Sequence, residues 1–64
     1  MKFNVRYYNR ETEKFETKTI ENVSYITITS QAEVEPNEFV IIYDRGYKTF
    51  RIKIIDLLYI NNIE

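Results

Sequence analysis

Apolar and polar residues alternate with a period of two along most of this chain, the pattern of β-strands that bury one face. Between Lys2 and Tyr8, the residues Phe3, Val5 and Tyr7 share one face, and Asn4, Arg6 and Tyr8 share the other. Asn9 to Glu13 is polar and reads as a turn, and Lys14 to Ile20 continues as a second, more polar strand. The two form a predicted hairpin with a loop of about five residues. Phe15 is the only large apolar side chain in the first part of that second strand. Glu16 and Lys18 suit it to a sheet edge, where charge discourages pairing with another chain.

Glu21-Asn22 predicts a turn. Val23 to Ser30 is β-branched or aromatic at most positions and predicts a third strand, with Ile26 and Ile28 on one face and Tyr25, Thr27 and Thr29 on the other. Gln31 to Glu38 contains Glu33, Glu35, Pro36, Asn37 and Glu38 and reads as an acidic connection with a Pro-Asn turn. Pro36 favours extended geometry in the residue before it, which leaves room for a short helical turn but not a long helix.

Phe39 to Tyr43 is apolar on both faces, as expected of a central or covered strand. The only glycine, Gly46, comes next in Asp44-Arg45-Gly46, where positive φ would close a hairpin. Tyr47 to Ile54 is the predicted return strand, with Phe50, Ile52 and Ile54 inward and Tyr47, Thr49, Arg51 and Lys53 outward. Ile54-Ile55 breaks the alternation before Asp56, predicting a bulge or corner. Leu57 to Ile60 has two readings: a short last strand, or a helical turn, since Ile54, Leu57, Leu58 and Asn61 would share a helix face. Asn61 to Glu64 is expected to fray unless Ile63 ties the end down. The expected fold is therefore all-β: one domain over residues 1–64, a single antiparallel meander of five or six strands curled into a half-barrel or small barrel, with at most one short helical turn.

Composition narrows the chemistry. The chain has 64 residues and neither histidine nor cysteine. The usual acid/base group near neutral pH and the usual soft metal ligands are thus missing, and no disulfide can form. Ser24 and Ser30 have no histidine to activate them, and the carboxylates form no ligand motif, so no catalytic residue, metal site or cofactor is assigned. Asp44 and Asp56 read as turn residues. A non-enzymatic role is the expectation.

The longest apolar run, Phe39 to Tyr43, is far below the ~20 residues of a membrane helix. The first residues alternate instead of forming an apolar leader. A cytoplasmic protein without a membrane partner is the expectation. Phe, Tyr, Met, Ile, Asn and Lys supply 32 of the 64 residues, whereas Gly, Ala, Arg and Pro supply 7, a bias that points to an AT-rich genome.

Net charge is −1, but its distribution is uneven. Residues 1–20 carry +2, residues 21–44 carry −5 with no basic side chain, and residues 45–64 carry +2. Three functional readings are open. In the first, a protein partner meets the acidic segment (Glu33, Glu35, Glu38) and apolar surplus at Phe39, Tyr43, Leu58 and Tyr59, because ten isoleucines and ten aromatic residues are hard to bury in one small sheet. A homodimer seam is one form of this reading. In the second, Arg6, Tyr8, Tyr47, Arg51 and Lys53 form a basic, tyrosine-bearing sheet face that holds single-stranded nucleic acid, phosphates on the cations and bases on the rings. In the third, free sheet edges join copies of a structural or assembly protein.

Short, cysteine-free, AT-biased and nearly all β, the chain resembles the small accessory proteins of phages and mobile elements. That resemblance implies an inhibitor acting by binding and blocking the surface of a larger host machine, as inhibitors of bacterial defence, anti-CRISPR proteins among them, do.

Overall fold

The computed structural model describes residues 1–29 and 37–64; of the acidic connection expected over Gln31 to Glu38, Glu33, Glu35 and Pro36 lie outside the described residues, while Glu38 is the first residue of a strand, where it gains a ladder partner in Thr29. Among the described residues six strands are present: β1 (Phe3–Asn9), β2 (Lys14–Ile20), β3 (Val23–Thr29), β4 (Glu38–Tyr43), β5 (Lys48–Lys53) and β6 (Leu57–Asn62). They form two antiparallel three-stranded sheets, ordered β2-β1-β6 and β3-β4-β5. The all-β expectation holds.

The sheets do not close into a barrel. The chain keeps sequential order through β3, β4 and β5, but β6 then leaves that order and pairs with β1. At the join between sheets, Ile20 and Val23 are separated only by Glu21 and Asn22, whose φ is +57°. The Val23 amide donates to the Met1 carbonyl at 2.9 Å, so the chain start supports β2 and β3 across this corner.

Local chemistry explains the turns. Asn9 Oδ1 accepts hydrogen bonds from the backbone amides of Glu11 and Thr12 at 2.9 and 3.3 Å, an Asx turn that starts the β1–β2 hairpin. Between β4 and β5, Asp44, Arg45 and Gly46 all take positive φ, at 51°, 60° and 92°. Gly46 meets the conformational requirement expected of it, and two side-chain-bearing residues share it. Tyr47 is the last turn residue, so β5 begins one residue later than expected.

The break at Ile54-Ile55 is a one-turn 3₁₀ helix, Ile54–Asp56. The helical reading of residues 54–61 is overturned beyond it, because Leu57–Asn62 gains ladder partners on β1 that a helix would forgo. A bulge opposite the Arg6/Tyr7 step leaves Leu58 between Leu57, which faces Tyr7, and Tyr59, which faces Arg6. The chain end does not fray where expected: β6 includes Asn61 and Asn62, and the Ile63 amide donates to the Lys2 carbonyl at 2.9 Å.

Val5, Tyr7, Ile20, Val23 and Ile41 form the buried core, with Phe3, Ile26, Phe39, Phe50, Leu57 and Ile60 among the half-buried side chains packed against it. Both sheets contribute, which ties them face to face. Tyr7 and Phe50 meet edge to face at 5.3 Å between ring centroids, and the Lys18 ammonium sits 5.0 Å from the Phe50 centroid at the rim. β4 is the central strand expected of an element apolar on both faces. Ile41 points into the core, while Val40 and Ile42, on the other face of the same strand, are also buried. They lie between the cross-strand neighbours Thr27 and Arg51, and Tyr25 and Thr49.

Candidate functional site

The outer face of the β2-β1-β6 sheet is the surface most like a recognition site. Val5 and Tyr7 are buried, so their neighbours Arg6 and Tyr8 point outward. The register then sets Tyr8 beside Phe15 on β2, and Arg6 between Thr17 on β2 and Tyr59 on β6. The Tyr8 and Phe15 rings meet edge to face at 5.2 Å. Arg6 Nη1 donates to Thr17 Oγ1 at 2.9 Å, and Thr19 Oγ1 donates to Asn4 Oδ1 at 2.6 Å. Phe15 and Tyr59 are exposed. The result is a patch of three aromatic rings around one guanidinium, in which Tyr8 packs on Phe15 and Arg6 is tied to Thr17 across the strands.

At the end of this sheet, Glu16 anchors the hairpin. Its carboxylate accepts from Thr12 Oγ1 at 2.7 Å, Asn9 Nδ2 at 3.1 Å and Tyr7 Oη at 3.3 Å. The hydrogen bonds from Thr12 and Asn9 hold the Glu16 carboxyl below its ordinary pKa, and burial together with the Glu16 charge pushes the Tyr7 hydroxyl above its own.

A cleft of about 360 Å³ lies between this hairpin and β5, lined by Tyr8, Arg10, Arg51, Lys53 and Asp56 among others. Its cations are largely answered by carboxylates. Arg10 Nε donates to both Asp56 oxygens, and Arg51 Nη1 lies 3.3 Å from Glu38 Oε1. Glu11 also lines it.

The nucleic-acid candidates are therefore divided. Arg6 and Tyr8 project from β1 in the first sheet, whereas Arg51 and Lys53 project from β5 in the second, on the face away from Phe50 and Ile52. The cleft brings Tyr8, Arg51 and Lys53 together, but Arg6 and Tyr47 do not line it. Tyr47 stands 88% exposed on the β4–β5 turn. The protein-binding candidates are divided as well. Leu58 and Tyr59 are exposed on β6, Phe39 and Tyr43 pack against the core, and Glu38 opens β4 in its ion pair with Arg51; Glu33 and Glu35 lie outside the described residues.

Two features escape sequence reasoning. Phe15 joins the aromatic patch because a four-residue turn sets it opposite Tyr8, and counting that register from the sequence would have found it. The Arg10–Asp56 pair joins residues 46 apart, and nothing local signals it.

Among the described residues, no three Asp or Glu side chains gather as metal ligands, and no helix is long and apolar enough to cross a membrane. No known family model matches the chain, and no curated protein or solved structure does.

Proposed function

We propose that this protein is a non-enzymatic binding module that docks a protein partner on the outer face of the β2-β1-β6 sheet and acts by covering part of that partner's surface. The observation that carries this reading is the patch formed by exposed Phe15 and Tyr59 with half-buried Tyr8 around half-buried Arg6. Tyrosine and arginine dominate the energetic centres of protein interfaces, since they present large contact area and directed hydrogen bonds. The Tyr8 and Phe15 rings, already packed on each other across the strands, lose little freedom on docking, which favours affinity. The corner at Glu21-Asn22, read as the fold of a half-barrel, would hold this face rigid against the second sheet. The proposed setting is the cytoplasm of a low-GC bacterium, with a phage or mobile element as the source and a larger host machine as the target.

The alternative, a nucleic-acid surface, has support from the cleft that gathers Tyr8, Arg10, Arg51 and Lys53. Against it, Asp56, Glu38 and Glu11 line the same cleft and offset the positive potential that phosphate binding needs.

Affinity capture separates the two. Tagged wild-type protein and the Tyr59→Glu variant are incubated with lysate of a low-GC bacterium, half of it nuclease-treated, and the bound proteins are identified by mass spectrometry. A stoichiometric partner that survives nuclease and is lost with Tyr59→Glu is the expected result. Capture that disappears with nuclease, or is indifferent to Tyr59→Glu, overturns the assignment of this face.

A further inference from the structure

The four strands at sheet edges differ in how they are protected. Two of them carry charge: β2 has Lys14, Glu16 and Lys18, and β5 has Lys48, Arg51 and Lys53. Such charges are the common device against edge-to-edge association. The other two, β3 and β6, contain no charged residue. The β3 edge is already engaged at its start, where Val23 bonds to Met1. The β6 edge has β1 on one side and, among the described residues, no strand on the other.

Apolar exposure is concentrated in β6 and the residues that flank it. Among the described residues, ten large hydrophobic side chains are exposed, and five of them, Ile54, Ile55, Leu58, Tyr59 and Ile63, fall within ten consecutive positions. Ile55 is 75% exposed, Leu58 52% and Ile63 45%. The nearest acid on the N-terminal side, Asp56, is buried and held by Arg10, so it sets no repelling charge at the edge.

The geometry points to a second copy of this chain as the occupant of the β6 edge, joined by antiparallel β6–β6 pairing about a two-fold axis. A two-fold axis sets identical edges antiparallel, which brings the N–H and C=O groups of each β6 to those of the other, and the uncharged strand meets no like charge in doing so. With period-two alternation, a pair centred on Ile60 would set that residue opposite its own counterpart on the core side and Tyr59 beside Asn61 across the seam. Unpaired N–H and C=O groups of β6 would gain partners, and Leu58 would be covered. The two sheets would become one of six strands, ordered β2-β1-β6-β6-β1-β2, and would carry two copies of the aromatic face. The pairing is independent of what docks on that face, so either assignment stands if the other fails.

Sedimentation equilibrium from about 1 µM to about 1 mM, a span that covers weak to moderate self-affinity, tests it on the intact protein. Wild-type protein is compared with Leu58→Lys, Ile63→Lys and, as the control on the charged β5 edge, Thr49→Lys. The expected result is a monomer–dimer equilibrium weakened at least tenfold by either Leu58→Lys or Ile63→Lys and unchanged by Thr49→Lys. Circular dichroism confirms that each variant folds. Should a lysine variant unfold, hydrogen exchange on the wild type replaces it, with β6 amide protection expected to rise with protein concentration while β2 stays constant. A wild type that remains monomeric at the highest concentration overturns the proposal, as does a dimer indifferent to both lysines or β6 protection independent of concentration.

Discussion

Arg10 Nε lies 3.0 and 2.8 Å from the two carboxylate oxygens of Asp56, a residue 46 positions away and only 7% exposed. The guanidinium, itself on the exposed β1–β2 turn, is the hydrogen-bonded partner of a carboxylate set in the 3₁₀ turn before β6. The pair clamps the first hairpin to the segment that delivers β6 to β1. Removing Arg10 leaves Asp56 with an uncompensated charge, which costs more than losing the pair as a whole. Arg10→Ala should therefore lower the urea midpoint at pH 7 more than the Arg10→Ala/Asp56→Asn double variant does. Equal losses in the two would show that the pair is screened by solvent and contributes nothing as a clamp.

The same carboxylate makes stability depend on pH. The hydrogen bond from Arg10 holds the Asp56 pKa below its ordinary value; Lys48 and Asn22 do the same for Asp44, and Thr12 and Asn9 for Glu16. A folded-state pKa below the unfolded one stabilises the native chain above the unfolded value, near ~4 for a carboxyl, and that contribution disappears as pH falls through the folded value. Tyr7 has the opposite sign: its raised pKa stabilises below the unfolded value, near ~10, and the contribution is lost as pH rises through the folded one. Urea midpoints measured across pH should be level near neutrality and decline at both extremes. Asp56→Asn should shallow the acid limb, and an unchanged limb would remove Asp56 from the account.

Ile41 is fully buried at the centre of β4, where Ile26 and Phe50 are its register partners. Truncation there leaves a cavity with little room to relax, and Ile41→Ala should cost about 2–5 kcal/mol. In a domain this small, such a loss is a large part of total stability. Ile55, at the same residue type but mostly solvated, should change by less than about 0.5 kcal/mol on the same substitution. Urea denaturation monitored by circular dichroism gives both values, and comparable losses would show that the core is centred elsewhere.

The β4–β5 turn stores backbone strain in two consecutive side-chain-bearing residues at positive φ, Asp44 and Arg45, followed by Gly46, which adopts it without steric cost. Asp44 is fixed there by Lys48 Nζ at 3.1 Å and Asn22 Nδ2 at 3.3 Å, and its amide donates to the Asn22 carbonyl at 3.0 Å. At Gly46, φ is +92° and a Cβ would meet nothing within 4 Å. Gly46→Ala should therefore destabilise through backbone conformation alone, by about 1–2 kcal/mol. Arg45→Asn, which suits positive φ better, should have the opposite sign. Thermal melts of the two variants check the pair, and a neutral Gly46→Ala would mean that the turn takes another conformation in solution.

Alternation along the chain was sufficient to identify the first five strands. Phe3, Val5 and Tyr7 face inward as period two requires, β2 is an edge, and the two-faced apolar segment Phe39–Tyr43 is the central strand β4. Gly46 marked its turn. These features depend on each residue's own neighbours in the chain, and a strand's two faces are fixed by local geometry whatever it pairs with. Which strand β6 joins is a different kind of fact. Leu57 to Ile60 reads equally as strand or helical turn in isolation, and only β1, more than fifty residues earlier, supplies the ladder that decides it. The division of Arg6 and Tyr8 from Arg51 and Lys53, the recruitment of Phe15 beside Tyr8 and the Arg10–Asp56 clamp all arise from how the two sheets form and pack. Sequence alone determined the first five strands and most of their buried faces, because those are set by local alternation; tertiary structure decided β6, the exposure of Ile54 and the partners of each face and edge, because those contacts join residues far apart in the chain.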